Sequence, residues 1–171
     1  MRLTRLAALV MMVSVVGLAM PAQAADKRAK PYSRFCKPSD LVGTWRLVKF
    51  STPHEFKDSR APYLLPHQMF QFLKDGTMKS AHSAIPLPDD PTKVFQAIAS
   101  ESTYSFGKAG LITLKAKGAE ADSETWHCVT ITEDRKIEAR QVFMKRGDVV
   151  MTLIGMNGEP AFTRQLRKGG A

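Results

Sequence analysis

An all-β fold is predicted: an up-and-down antiparallel β-barrel of eight or nine strands with one short helix. Three observations predict it. Short segments of alternating apolar and polar residues follow one another along most of the chain. Turn chemistry separates them at regular intervals, as at Asp75-Gly76, Gly107 to Gly110, Arg146-Gly147-Asp148 and Asn157-Gly158. No segment has helical periodicity long enough to cover a sheet, so closing the sheet on itself is the economical way to remove its edges. The composition agrees with one ordinary globular domain: 171 residues, 44% hydrophobic, 8% aromatic and two cysteines. It excludes a disordered chain, a collagen, a cysteine-stapled miniprotein and a multidomain enzyme.

In chain order, Met1 to Ala24 carries Arg2 and Arg5, an apolar run from Leu6 to Met20, and a small-x-small ending at Ala22-Gln23-Ala24. This pattern is that of a secretory signal peptide cleaved near Ala24, which predicts a periplasmic or secreted protein. A membrane anchor is the alternative, but the run is shorter than the roughly 20 residues a spanning helix needs. Residues 25–40 are polar, contain Pro31 and Pro38, and read as an irregular N-terminal arm. Residues 41–168 make up the barrel domain. Its candidate strands are 41–51, 67–74, 77–83, 101–106, 111–117, 125–132, 137–144, 149–155 and 161–167. Two stretches interrupt them. Residues 52–66 form a proline-rich loop with Phe56, Tyr63 and Leu65; residues 84–100 place Asp90 and Pro91 at the start of a short helix bearing Val94 and Phe95.

Cys36 and Cys128 lie 92 positions apart and match no metal or redox spacing. In an exported chain a disulfide between them is the natural inference, and closing so long a loop is worth about 4 to 5 kcal/mol in the chain-entropy model. Two buried thiols are the alternative. The net formal charge of +9 is spread over short clusters. It predicts weak association with anionic envelope components and no nucleic-acid binding, since no basic helix or aromatic-basic platform is present.

The best-defined local pattern is Gly43-Thr44-Trp45, at the start of the first long strand, with Arg164 near the other end of the chain. On strand alternation Arg164 shares a face with Phe162 and Leu166, and a guanidinium among apolar neighbours needs a partner such as an indole face. This pairing resembles the lipocalin and fatty-acid-binding (calycin) superfamily, and the stretch Phe72 to Ala81 is similar to bacterial lipocalin-like domains. The resemblance implies that the Gly43-Thr44-Trp45 motif packs beneath Arg164 and closes one end of the barrel, with Gly43, Trp45 and Arg164 as structural residues. The helix-bearing insertion between the third and fourth strands departs from the lipocalin pattern, where a longer helix follows the barrel.

An eight-stranded barrel is either filled by side chains or holds one small ligand. If it is hollow, the ligand-binding candidates are Phe72, Met78, His82, Tyr104, Phe106 and Met151, with Gln71, Ser80, His82 or Lys49 as orienting groups. Alternation leaves open which faces look inward: Phe70 and Phe72 share one, and Met69, Leu73, Met78 and His82 are expected on the other. Catalytic and cofactor-binding motifs are missing. His54-Glu55-Phe56-Lys57-Asp58 lacks the second histidine of a zinc-protease helix, and neither a nucleophile elbow nor a phosphate loop occurs. Four scattered histidines make no metal-ligand spacing. The sequence therefore predicts a non-enzymatic protein that binds a small apolar or amphipathic ligand in the cell envelope. The alternative is a protein-binding module, such as a protease or lysozyme inhibitor, with a filled barrel.

Overall fold

The computed structural model describes residues 31–53, 61–97, 100–118, 123–138 and 142–169. The expected signal peptide, residues 25–30 of the arm, His54 and Phe56 lie outside them. The barrel is built from β2 (Gly43–Ser51), β3 (His67–Phe72), β4 (Thr77–Ser83), β5 (Ser100–Phe106), β6 (Leu111–Ala116), β7 (Ser123–Ile131), β10 (Val149–Ile154) and β11 (Pro160–Lys168). Each pairs antiparallel with the next in that order, and β11 returns to β2, so eight strands close a tube. The expected all-β barrel is the observed one.

Two expectations at the chain's margins are corrected. Within the arm, Ser33–Phe35 forms a strand, β1, that pairs with Val129–Ile131 of β7. Pro38–Leu41 then makes one helical turn, α1, whose start is held by the Asp40 carboxylate accepting from the Lys37 amide at 2.7 Å. Arg34 donates to both oxygens of that carboxylate and, through its side-chain hydrogen bonds, holds Asp40 down to about 2. The segment 137–144 is not one barrel strand. It divides between β8 (Arg135–Ile137) and β9 (Val142–Met144), which pair only with each other. This hairpin lies against the outside of β11, where Gln165 Nε2 donates to the carbonyl of Phe143 and to Asp148. Asp148, 1% exposed, also accepts from the Lys145 amide and twice from Arg167. Burial alone would raise the Asp148 pKa; these donors outweigh it and the net shift is downward.

The β3–β4 hairpin fixes which faces look inward. Its register sets Phe72 opposite Met78, Phe70 opposite Ser80 and Gln68 opposite His82. Met78 and His82 therefore share the inner face with Phe70 and Phe72, contrary to the grouping expected from alternation. The four residues 73–76 between the strands pair even positions with even ones, which the Asp-Gly dipeptide alone does not specify. Met69 and Ala81 face outward and are covered by Val94 and Phe95 of α2 (Pro91–Ala97), a second small core outside the barrel. Thr92 donates to Asp90 at the start of α2, as its capping sequence predicts.

One end of the tube is plugged. Leu41 and Trp45 are fully buried there, and the indole N–H donates to the Leu41 carbonyl at 2.6 Å. Cys36 and Cys128 are joined as expected, tying β1 to β7. Gly110 passes so close to this strand that a Cβ would lie 2.4 Å from the Cys128 carbonyl oxygen. At the opposite end β2, β4, β6 and β10 finish and β3, β5, β7 and β11 begin, so this end carries the β2–β3 and β4–β5 connections, whereas the β7–β10 connection with its hairpin lies at the plugged end.

Candidate functional site

Towards that opposite end the barrel is hollow. A cavity of about 410 Å³ lies between the strands, inside the size range of small-molecule sites. Its walls are mainly apolar, with Phe70, Phe72, Met78, Leu114, Trp126, Met151 and Leu166, and Ser80, His82, Ser102, Glu124 and Arg164 add polar groups. Pro62 and Tyr63 line it from the segment between β2 and β3, with the Tyr63 ring stacked on Phe162 at 5.5 Å. The barrel is thus filled at one end and open inside at the other.

Four of the six ligand-binding candidates, Phe72, Met78, His82 and Met151, line this cavity. Tyr104 and Phe106 do not. They pack on the core instead: Tyr104 meets Phe72 edge-on at 5.3 Å and donates its hydroxyl to the Leu73 carbonyl. Of the orienting groups, Ser80 and His82 reach the cavity, whereas Gln71 and Lys49 are not among its lining residues. The reason lies in the register described above, which turns even-numbered positions of β3 and β4 inward.

The expected pairing of Trp45 with Arg164 is not made. Arg164 pairs across the sheet with Phe50, several residues above the plug, and Lys168 is the residue opposite Trp45. Lys168 Nζ sits 5.6 Å from the centroid of the Trp45 ring, and a Cβ on Gly43, whose φ is +131°, would come within 3.0 Å of the Lys168 chain. Gly43, Trp45 and Lys168 therefore form the closed end. Arg164 faces the cavity. Its guanidinium carbon stands 5.1 Å from the Phe70 ring, 5.0 Å from Trp126 and 5.0 Å from Phe162. A guanidinium does rest on an indole, as sequence reasoning required, but the indole is Trp126.

The polar groups around this cation are few. Arg164 is 7% exposed and its Nε has no hydrogen-bond partner, and the buried Nε2 of His82 has none either. Desolvation pulls the Arg164 pKa down to about 10, against a raising influence from Glu124. His82 is pushed down to about 4 by burial first and then by the nearby positive charge of Arg164, so its ring is neutral at physiological pH. Glu124, at the start of β7, is exposed and accepts the Trp126 indole N–H at 2.9 Å. Ser80 shares a hydrogen bond with Ser100 at 2.8 Å. Among the described residues no group of three or more His, Cys, Asp or Glu side chains converges in a way that could hold a metal.

Comparison with known proteins finds no match. No family model, no curated protein and no solved structure aligns with this chain. The geometry of the cavity therefore carries the functional reading. Sequence reasoning paired Arg164 with the wrong indole and passed over Trp126: it alternates with Cys128 and Glu124 along β7, which marks it as inward or outward without saying what it meets.

Proposed function

We propose that this protein is an exported, lipocalin-like barrel that binds a small amphipathic molecule in the cell envelope. The single observation that carries the reading is the cavity of about 410 Å³, walled by aromatic, methionine and leucine side chains and reached past Tyr63. Burying ligand surface against such walls stabilises a complex by about 25 cal/mol per Å², less the cost of immobilising the ligand. A barrel used only as a scaffold for protein recognition has no need of this space, since void volume in a core costs stability. The Cys36–Cys128 disulfide suits an oxidising compartment.

The test uses an uncharged fluorescent probe, N-phenyl-1-naphthylamine. Saturable binding at one site per chain is expected in wild type. Met151→Trp, which places an indole in the cavity, is expected to abolish it while the folded state persists by near-ultraviolet circular dichroism. Absence of binding in wild type, or binding indifferent to Met151→Trp, refutes the reading.

A further inference from the structure

On the outside of the barrel, beside its plugged end, two large apolar side chains stand in water next to two lysines. Phe35 on β1 is 52% exposed, and Leu111 at the start of β6 is 41% exposed. His127 joins them into one patch: its ring meets Phe35 edge-on at 5.3 Å, and it lies directly across the sheet from Leu111. The backbone enforces this proximity, because Gly110 brings the chain so near β1 that a Cβ there would stand 3.2 Å from the Phe35 Cβ. Lys108 opens the tight turn that Gly110 ends, and Lys37 follows Phe35 by two positions, so each segment brings a cation to the patch. Both lysines are exposed and make no ion pair among the described residues, whereas the neighbouring acid Asp40 is committed to Arg34. Arg135 adds a further cation, 5.4 Å from the centroid of the Tyr32 ring. In the sequence, residues 27–37 hold five cations and no acid.

Charge and area decide among the occupants such a patch admits. A second copy docked about a two-fold axis would set Lys37 and Lys108 against their own copies, and like charges repel. A folded protein partner needs about 800 Å² from each side, and two half-exposed side chains on the convex outer wall of a barrel fall far short of that. Apolar side chains set among lysines and arginines are instead the combination that an anionic bilayer recognises, its headgroup phosphates taking the cations and its acyl boundary taking the apolar groups. We propose that this face docks the protein on an anionic lipid bilayer, with Phe35 and Leu111 entering the headgroup layer between Lys37 and Lys108. Because the patch lies by the plugged end, docking directs the mouth of the barrel away from the lipid. It is independent of what the cavity holds.

Co-sedimentation with large vesicles tests the assignment, using phosphatidylcholine alone and phosphatidylcholine with about one-quarter phosphatidylglycerol. The exported protein, its N-terminus read by mass spectrometry, is expected to partition about tenfold more strongly onto the anionic vesicles and to be released by salt. Lys37→Glu and Lys108→Glu are each expected to weaken that partition about fivefold, and Phe35→Ser about threefold, with near-ultraviolet circular dichroism unchanged. Lys93→Glu, on α2, makes the same change of net charge away from the patch and should leave the partition within about a factor of two. Equal partition of wild type onto the two kinds of vesicle overturns the proposal, and this arm needs no variant. A loss in Lys93→Glu as large as those in the patch variants overturns it too, as does undiminished partition of Phe35→Ser. Binding to soluble polyglutamate as tight as to the anionic vesicles overturns it in favour of an acidic polymer as partner.

Discussion

Lys168 lies over the indole of Trp45, with Nζ 5.6 Å from the ring centroid, while Arg164, four residues earlier on the same strand, points into the cavity. One strand face thus supplies two cations with opposite assignments. The first closes the barrel and the second stands where a ligand would be.

The closed end sets the first expectation. Trp45 is fully buried and its N–H is bonded to Leu41, so Trp45→Ala removes both packing and a satisfied donor. A loss of about 3 to 5 kcal/mol is expected in urea unfolding. Lys168 makes only an exposed cation–π contact, and Lys168→Ala is expected to cost about 0.5 to 1 kcal/mol. Equal losses from the two would contradict this division of roles.

Arg164 is expected to behave in the reverse sense. Because its guanidinium is desolvated and its Nε has no hydrogen-bond partner among the described residues, Arg164→Met should leave thermal stability unchanged or raise it, as replacement of buried charge by an apolar residue of similar volume often does. A clear fall in Tm would show that the three aromatic contacts outweigh desolvation and that the residue is structural.

His82 makes the empty barrel acid-sensitive. Its folded pKa of about 4 lies below the ordinary value of 6.5, so the unfolded chain binds the proton more readily. Its contribution is fully present above pH 6.5 and is lost as pH falls towards 4. His82→Gln should flatten the stability profile between those limits, as measured by urea midpoints from pH 7.5 to 4. Carboxylates that titrate lower, such as Asp148 and Asp40, act in both proteins and cancel in the difference. An identical profile in both would place the imidazole in water.

Asp148 anchors the β8–β9 hairpin to the barrel through Lys145, Gln165 and Arg167. Asp148→Ala leaves those donors without their shared acceptor, and a destabilisation of about 2 to 4 kcal/mol is expected. Amide exchange should accelerate first in Val142–Met144. Uniform acceleration across the barrel would mean that the hairpin and the tube open as one unit.

The strands, their turns, the helix at Pro91 and the cysteine pairing were legible because each rests on local pattern: alternation, Asp-Gly and Gly dipeptides, a capping aspartate, an even cysteine count. The arm was less so. Ser33–Phe35 is too short to show alternation, and only its partner Val129–Ile131 makes it a strand. The segment 137–144 read as one strand because Ile137, Ala139 and Phe143 keep a two-residue alternation along the sequence. At the site, the apolar wall was partly legible and the cation was not. That Arg164 needed an aromatic partner followed from its neighbours; that the partner was Trp126 and not Trp45 depended on how far β11 slides along β2, a property of the closed sheet as a whole. Met78 and His82 were named as candidates but set on the face opposite Phe70 and Phe72, because the Asp-Gly dipeptide does not specify the register of the β3–β4 hairpin.

Strand β7 bonds to β6 and β10 over most of its length and to β1 near its end, and it holds one half of the disulfide. Such a seam cannot form until residues 123–131 have emerged during synthesis, when about three-quarters of the chain already exists. Cys36 must therefore wait through most of synthesis for its partner, and nascent strands meanwhile offer raw edges to one another and to passing chains. Maturation of this barrel is thus governed by late, long-range closure, and holding factors and thiol oxidants would set its yield.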